Sequence, residues 1–168
     1  MKKLVAVLLT AYSAVTYGHS GMDAPELMNL ETLAAEFAWD FDSKITVEKI
    51  TDDLYVLFGV GGNIGVSVGE DGVFIVDDQF PRIMPKIKAA IADLGGVNID
   101  FAVTTHWHFD HAEGNLSLGP EGTWLVAHEN SREMMKVDRI INLVQLAYEQ
   151  KAYPESAWPD ITYSNDMS

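Results

Sequence analysis

Apolar and polar positions alternate with a period of two over residues 45–50, Ile45-Thr46-Val47-Glu48-Lys49-Ile50, which predicts a half-buried strand. Thr51-Asp52-Asp53 reads as a turn. Leu54-Tyr55-Val56-Leu57-Phe58 and Ile64-Gly65-Val66-Ser67-Val68 read as two further strands. Glu70-Asp71-Gly72 has hairpin-turn chemistry, and Val73-Phe74-Ile75-Val76 is a fully apolar fourth strand that stops at Asp77-Asp78. The period then changes. Residues 81–94 place Ile83, Ile87, Ala90 and Ile91 at helical spacing, with Pro81 suited to the first turn and Gly95-Gly96 as the stop. Strands are expected at 99–103 and 124–127. Residues 129–151 read as one helix with Ile140, Ile141, Val144 and Leu146 as core positions, ended by Pro154 and Pro159. The tail, 158–168, reads as the start of a strand that does not develop. Residues 21–44 are acidic and mixed, and admit either a short helix after Pro25 or a linker or N-terminal extension. A strand meander followed by strand–helix–strand–helix predicts an α/β layered architecture over 45–168, with one sheet edge left open.

Composition narrows the partners. The chain has 168 residues, enough for one domain with a sizeable core. Its 25 acidic and 11 basic residues give a net charge of −14, which argues against nucleic acid and anionic membranes. The absence of cysteine excludes disulfides, thiolate catalysis and Cys-ligated zinc. Residues 1–20 have the make-up of a signal peptide: Lys2 and Lys3, an apolar stretch over 4–15 too short to span a bilayer comfortably, and small residues at Gly18 and Ser20. The expected location is periplasmic or secreted, with no membrane attachment after cleavage.

Two stretches were weighed as functional motifs. The glycines at 59, 61, 62 and 65 fail the dinucleotide pattern, because Ile64 stands where the last glycine is needed, and no Gly-Lys-Ser/Thr follows; tight strand connections explain them. Thr105-His106-Trp107-His108-Phe109-Asp110-His111 is different. It holds three of the five histidines of the chain and an aspartate, directly after the apolar run Phe101-Ala102-Val103. Imidazole and carboxylate groups at the end of a strand are metal-ligand chemistry, suited to zinc and acceptable to iron or manganese. His106 and His108, two apart, point to one side of an extended backbone and can share one ion. Asp110 and His111 follow where the chain must turn and can serve a second.

His106-x-His108-x-Asp110-His111 resembles the H-x-H-x-D-H signature of the metallo-β-lactamase superfamily. Gly72-Val73-Phe74-Ile75-Val76-Asp77-Asp78 is similar to its strand ending in aspartate, and Gly114-Asn115 resembles the Gly-Gly-Asn that often follows. The resemblance implies an αββα sandwich with two metal ions, zinc first in expectation. His106 and His108 would hold one ion, and Asp110 and His111 the other. Asp110 would also act in catalysis, on the leaving-group side, while Asp77 hydrogen-bonds behind the ligands and Trp107 and Phe109 pack. The superfamily contains β-lactamases, thioesterases, lactonases, nucleases and iron-dependent persulfide dioxygenases. The implied reaction is attack on an amide, ester or thioester carbonyl of a small molecule.

Two departures qualify this. Glu113 stands where the family usually has glycine, which brings a charge to the site and threatens the turn. The later histidines and bridging acid of the family also have no counterpart: His128 ends a strand and is not a ligand, His19 lies at the signal junction, and Asp138, Asp160 and Asp166 lack partner histidines. The sequence therefore reads as the first half of the domain, inactive alone. The alternatives are a non-catalytic half-domain needing a partner chain and an iron-dependent oxygenase.

Overall fold

Two parallel strands at the middle of a seven-stranded sheet carry the histidine window, and the rest of the sheet grows outward from them. The computed structural model describes residues 25–143 and 145–167; the stretch read as a signal peptide, His19 and Val144 lie outside them. In chain order the elements are β1 (Glu26–Met28), α1 (Leu30–Glu36), β2 (Thr46–Lys49), β3 (Leu54–Phe58), β4 (Ile64–Gly69), β5 (Gly72–Val76), α2 (Met84–Asp93) and β6 (Phe101–Thr104). They continue with α3 (Phe109–Ala112), α4 (Asn115–Leu118), β7 (Trp124–His128), α5 (Glu129–Met135), β8 (Arg139–Leu143), β9 (Leu146–Gln150) and β10 (Ile161–Tyr163).

The large sheet runs β10-β7-β6-β5-β4-β3-β2, and β1-β9-β8 form a small second sheet. β2 to β5 make an antiparallel meander, whereas β5, β6, β7 and β10 pair in parallel. The parallel part follows from the crossover helix α2, whose Met84, Ile87, Ala90 and Ile91 are buried. That stripe joins Val73, Ile75, Ala102 and Leu125 of the sheet in one apolar core. The alternate residues of the same strands face the other way. Phe74, Phe101, Trp124 and Ile161 are exposed there, and an apolar groove of about 710 Å³ runs between Phe101, Val126, Ile161 and Met167. This α/β layering is the expected one, and among the described residues one face of the large sheet stays uncovered.

Three expectations change. Residues 129–151 are not one helix: α5 ends at Met135, and 139–150 fold back as the antiparallel pair β8–β9. Ile141 is buried there and Ile140 exposed, the period-two pattern of a strand. The tail forms β10, laid parallel on β7 with Ile161 opposite Val126. β2 pairs as a strand, but all four of its residues are exposed, because it is the sheet's edge.

Of the two readings of 21–44, the structure has a short helix, but only from Leu30: Glu26–Met28, expected at its start, form β1 parallel to β9. Asn29 caps α1 by accepting from the Thr32 N–H at 2.9 Å, and the Thr32 hydroxyl accepts from the Asn29 N–H at 3.0 Å. The helix buries Leu33 completely in the main core. Among the described residues no helix is long and apolar enough to cross a membrane. Leu33→Ala should lower the unfolding free energy by about 3 kcal/mol in urea titration. An unchanged midpoint would detach α1 from the core.

Candidate metal centre

The site is assembled where β5 and β6 end side by side. The Asp77 N–H donates to Val103 O at 2.8 Å, extending the parallel ladder by one bond. Asp77 then takes a left-handed backbone, φ +64°, which turns the chain out of the sheet and its carboxylate toward β6. That carboxylate is nearly fully buried. Its Oδ1 accepts from the Thr105 N–H at 2.7 Å, and its Oδ2 accepts from the Thr105 hydroxyl at 2.9 Å and from His111 Nδ1 at 2.7 Å.

These bonds fix tautomers. His111 donates through Nδ1, so its Nε2 lone pair is free, and Asp110 Oδ2 lies 3.4 Å from that nitrogen. The Thr105 hydroxyl has spent its proton on Asp77. It can only accept from His106 Nδ1, at 3.1 Å, which leaves the His106 Nε2 lone pair free too. One carboxylate thus orients two imidazoles, the second through a threonine.

His108 caps the one-turn helix α3, its carbonyl accepting from the N–H groups of His111 and Ala112. That turn brings the three rings together. The His106 centroid lies 4.7 Å from His108 and 4.2 Å from His111, so His106 stands between the other two. Burial and the neighbouring imidazoles press the His106 and His108 pKa values below 6.5, whereas the bond to Asp77 raises that of His111. The donor types fit zinc. Their number and spread do not complete a site: among the described residues no group of three or more His, Cys, Asp or Glu side chains is placed to hold one ion.

The surroundings explain other residues of the window. Phe109 is buried against Tyr148 and Phe80, and Trp107 packs against the small cluster of Met135, Tyr153 and Ala157 while its carbonyl accepts from Gln150. Glu113 leaves the turn undisturbed, because its backbone is right-handed helical, a conformation open to any residue. Its carboxyl faces the Tyr148 hydroxyl, and burial raises its pKa to about 7. Gly114 has a steric reason: a Cβ there would lie 2.6 Å from Asp78 Cγ. The Asp78 carboxyl is 1% exposed with no partner on either oxygen, and burial beside Asp77 drives its pKa well up, toward the neutral acid. His128 stands apart as the cap of α5, its Nδ1 accepting from the Asn130 N–H. Thr105 and Asp78, which belong to the stretches that carry the resemblance, also build the site, as do Gln79 and Gly62, which no pattern in the sequence marks.

No family model matches the chain, and no curated protein matches it. Solved structures do. The DIM-1 metallo-β-lactamase superposes with a TM-score of 0.53 at 18% identity, over 75% of this chain and 54% of that one. MEM-A1, a subclass B3 metallo-β-lactamase isolated from a soil metagenome library, gives 0.60 at 17% identity, over 76% and 49%. BJP-1, a subclass B3 metallo-β-lactamase of Bradyrhizobium japonicum, gives 0.51 at 26% identity, over 57% and 38%. The aligned part of this chain spans about half, or less, of the length of these enzymes.

The opposed shifts set a pH signature. His106 and His108 have folded pKa values below 6.5, so they destabilise the fold as pH falls below 6.5 through those values. The His111 contribution is complete below 6.5 and is lost as pH rises through its raised value. Imidazole NMR titration should place His111 above the other two, and Asp77→Asn should bring it down. Coincident titration of all three would contradict the hydrogen-bond assignment.

Proposed function

Because this chain has the metallo-β-lactamase fold, we propose that it forms the histidine-bearing half of a secreted, metal-dependent hydrolase acting on a small molecule with an amide, ester or thioester carbonyl. The observation that carries this reading is the convergence of His106, His108 and His111 beside Asp110, with two of the rings oriented from behind by Asp77. In the proposal His106 and His108 hold one ion, and Asp110 and His111 the other, zinc being favoured by the imidazole and carboxylate donors. When bound, the metal supplies Lewis acidity and a water of lowered pKa. The chain supplies the orientation: Asp77 fixes the proton on Nδ1 of His111 and, through Thr105, of His106. In the proposal Asp110 steers the leaving-group side.

A β-lactam is one such carbonyl compound, and the superposed enzymes are metallo-β-lactamases. The sequence of residues 1–20 supports a periplasmic or secreted location. The uncovered apolar sheet face favours a second reading, a half-domain completed by a partner chain, and the two readings share the same incomplete donor set.

Zinc stoichiometry tests the reading. After dialysis the chain should retain less than one tightly bound zinc, since catalytic zinc takes about three protein ligands and two imidazoles fall short. His106→Ala and His108→Ala should each lower that residual binding without unfolding the protein. Two tightly held zinc ions per chain, with β-lactam or thioester turnover, would overturn the claim that the site needs further ligands.

A further inference from the structure

The turn between β3 and β4 carries Gly61 and Gly62, and both lie against the site. A Cβ on Gly62 would sit 2.7 Å from His111 Nδ1 and 3.0 Å from Nε2. A Cβ on Gly61, whose φ is +84°, would sit 2.9 Å from Asp110 Cβ. The Gly62 N–H donates to Asp110 O at 3.3 Å, so the turn touches both residues through backbone alone.

On its other side the turn is held by Gln79. This side chain is fully buried. Its Oε1 accepts from the Val60 N–H at 3.2 Å, and its Nε2 donates to Gly62 O. Its backbone, at φ +54°, bridges to Ala112, and its carbonyl accepts from the Gly114 N–H at 2.9 Å. Gln79 therefore ties the glycine turn to the C-terminal end of α3, the helix that carries Asp110 and His111.

We infer that Gln79 and Gly62 are positioning residues: Gln79 holds the turn so that the Gly62 backbone forms a wall setting the plane of the His111 ring. The hydrogen bond from His111 Nδ1 to Asp77 fixes one point of the imidazole. The torsion about Cβ–Cγ is broad, so one point leaves the plane, and with it the direction of Nε2, loosely set. A second contact, along the Nδ1–Cε1–Nε2 edge of the ring, removes that freedom. A backbone wall suits the task, because a turn pinned by two side-chain hydrogen bonds has no rotamers of its own. The glycine is required for space: Gly62 lies outside the left-handed region, so its backbone accepts alanine.

The inference rests on His111 as a working residue of the site, but its test reads the ring directly and needs neither metal nor turnover. Gly62→Ala is compared with Gly69→Ala, where an added Cβ meets nothing within 4 Å. In imidazole NMR spectra of the metal-free chain, Gly62→Ala should shift the His111 Cε1–H and Nδ1 signals and leave those of His128 in place; Gly69→Ala should move neither. Gln79→Met, which removes the anchor without adding bulk at the ring, should shift or broaden the same His111 signals. An unmoved His111 in a cooperatively melting Gly62→Ala overturns the inference. If Gly62→Ala does not melt cooperatively, Gln79→Met decides in the same terms, an unmoved His111 overturning it and a shifted one supporting it.

Discussion

The site depends on a single buried carboxylate. Asp77 accepts three hydrogen bonds from two segments that are distant in sequence, the end of β6 and the helix α3. Its left-handed backbone costs about 1–2 kcal/mol. The bonds offset that, since hydrogen bonds to a charged acceptor are worth about twice neutral ones. The strain has a structural purpose: an extended Asp77 would continue β5 and leave its carboxylate pointing away from Thr105. The same turn buries the Asp78 carboxyl beside Asp77, and that burial drives its pKa upward. Two adjacent acids thus take different roles, Asp77 bonding Thr105 and His111 together and Asp78 packed under Gly114.

The elements that could be read from the sequence are those whose burial is one-sided and regular. α2 shows its stripe because only one side meets the sheet, and β3 to β5 show theirs because turns of recognisable chemistry bound them. Residues 129–151 misled because short apolar runs fit both periods. Ile140, Ile141 and Val144 sit at helical spacing in the sequence, and no glycine, proline or Asn-Gly marks the reversal between β8 and β9. β10 was invisible for a different reason. It is three residues long and exists only because β7 offers it a parallel edge, a contact that local pattern does not encode. Within the site, His106, His108, Asp110 and His111 stood out because such chemistry is rarely so dense by chance, and Asp77 because it ended an apolar strand. Gln79 and Gly62 did not stand out, and Thr105 did so only as part of the approach to the histidines. Their roles come from long-range contacts to the backbone and rings, and glycines that connect strands look the same in sequence as glycines that make room for a ring.

The apolar runs at the centre of the large sheet carry one more consequence. Strands covered on one face alternate apolar and polar residues, whereas strands covered on both read as continuous apolar runs. Val73-Phe74-Ile75-Val76 and Phe101-Ala102-Val103 are of the second kind. Their inward residues meet α2, and Phe74 and Phe101 on the outward side stand exposed. The composition of these strands is therefore that of a sheet with a layer on each side. Val76 and Val103, on the open face by alternation, come just before Asp77 and the histidine window. A layer laid over Phe74 and Phe101 would cover a face that leads, through Val76 and Val103, toward the histidine window. In the proposed enzyme, one added layer on this face would meet two needs, cover for the apolar groove and the further ligands, whether it comes from the same chain or from a partner.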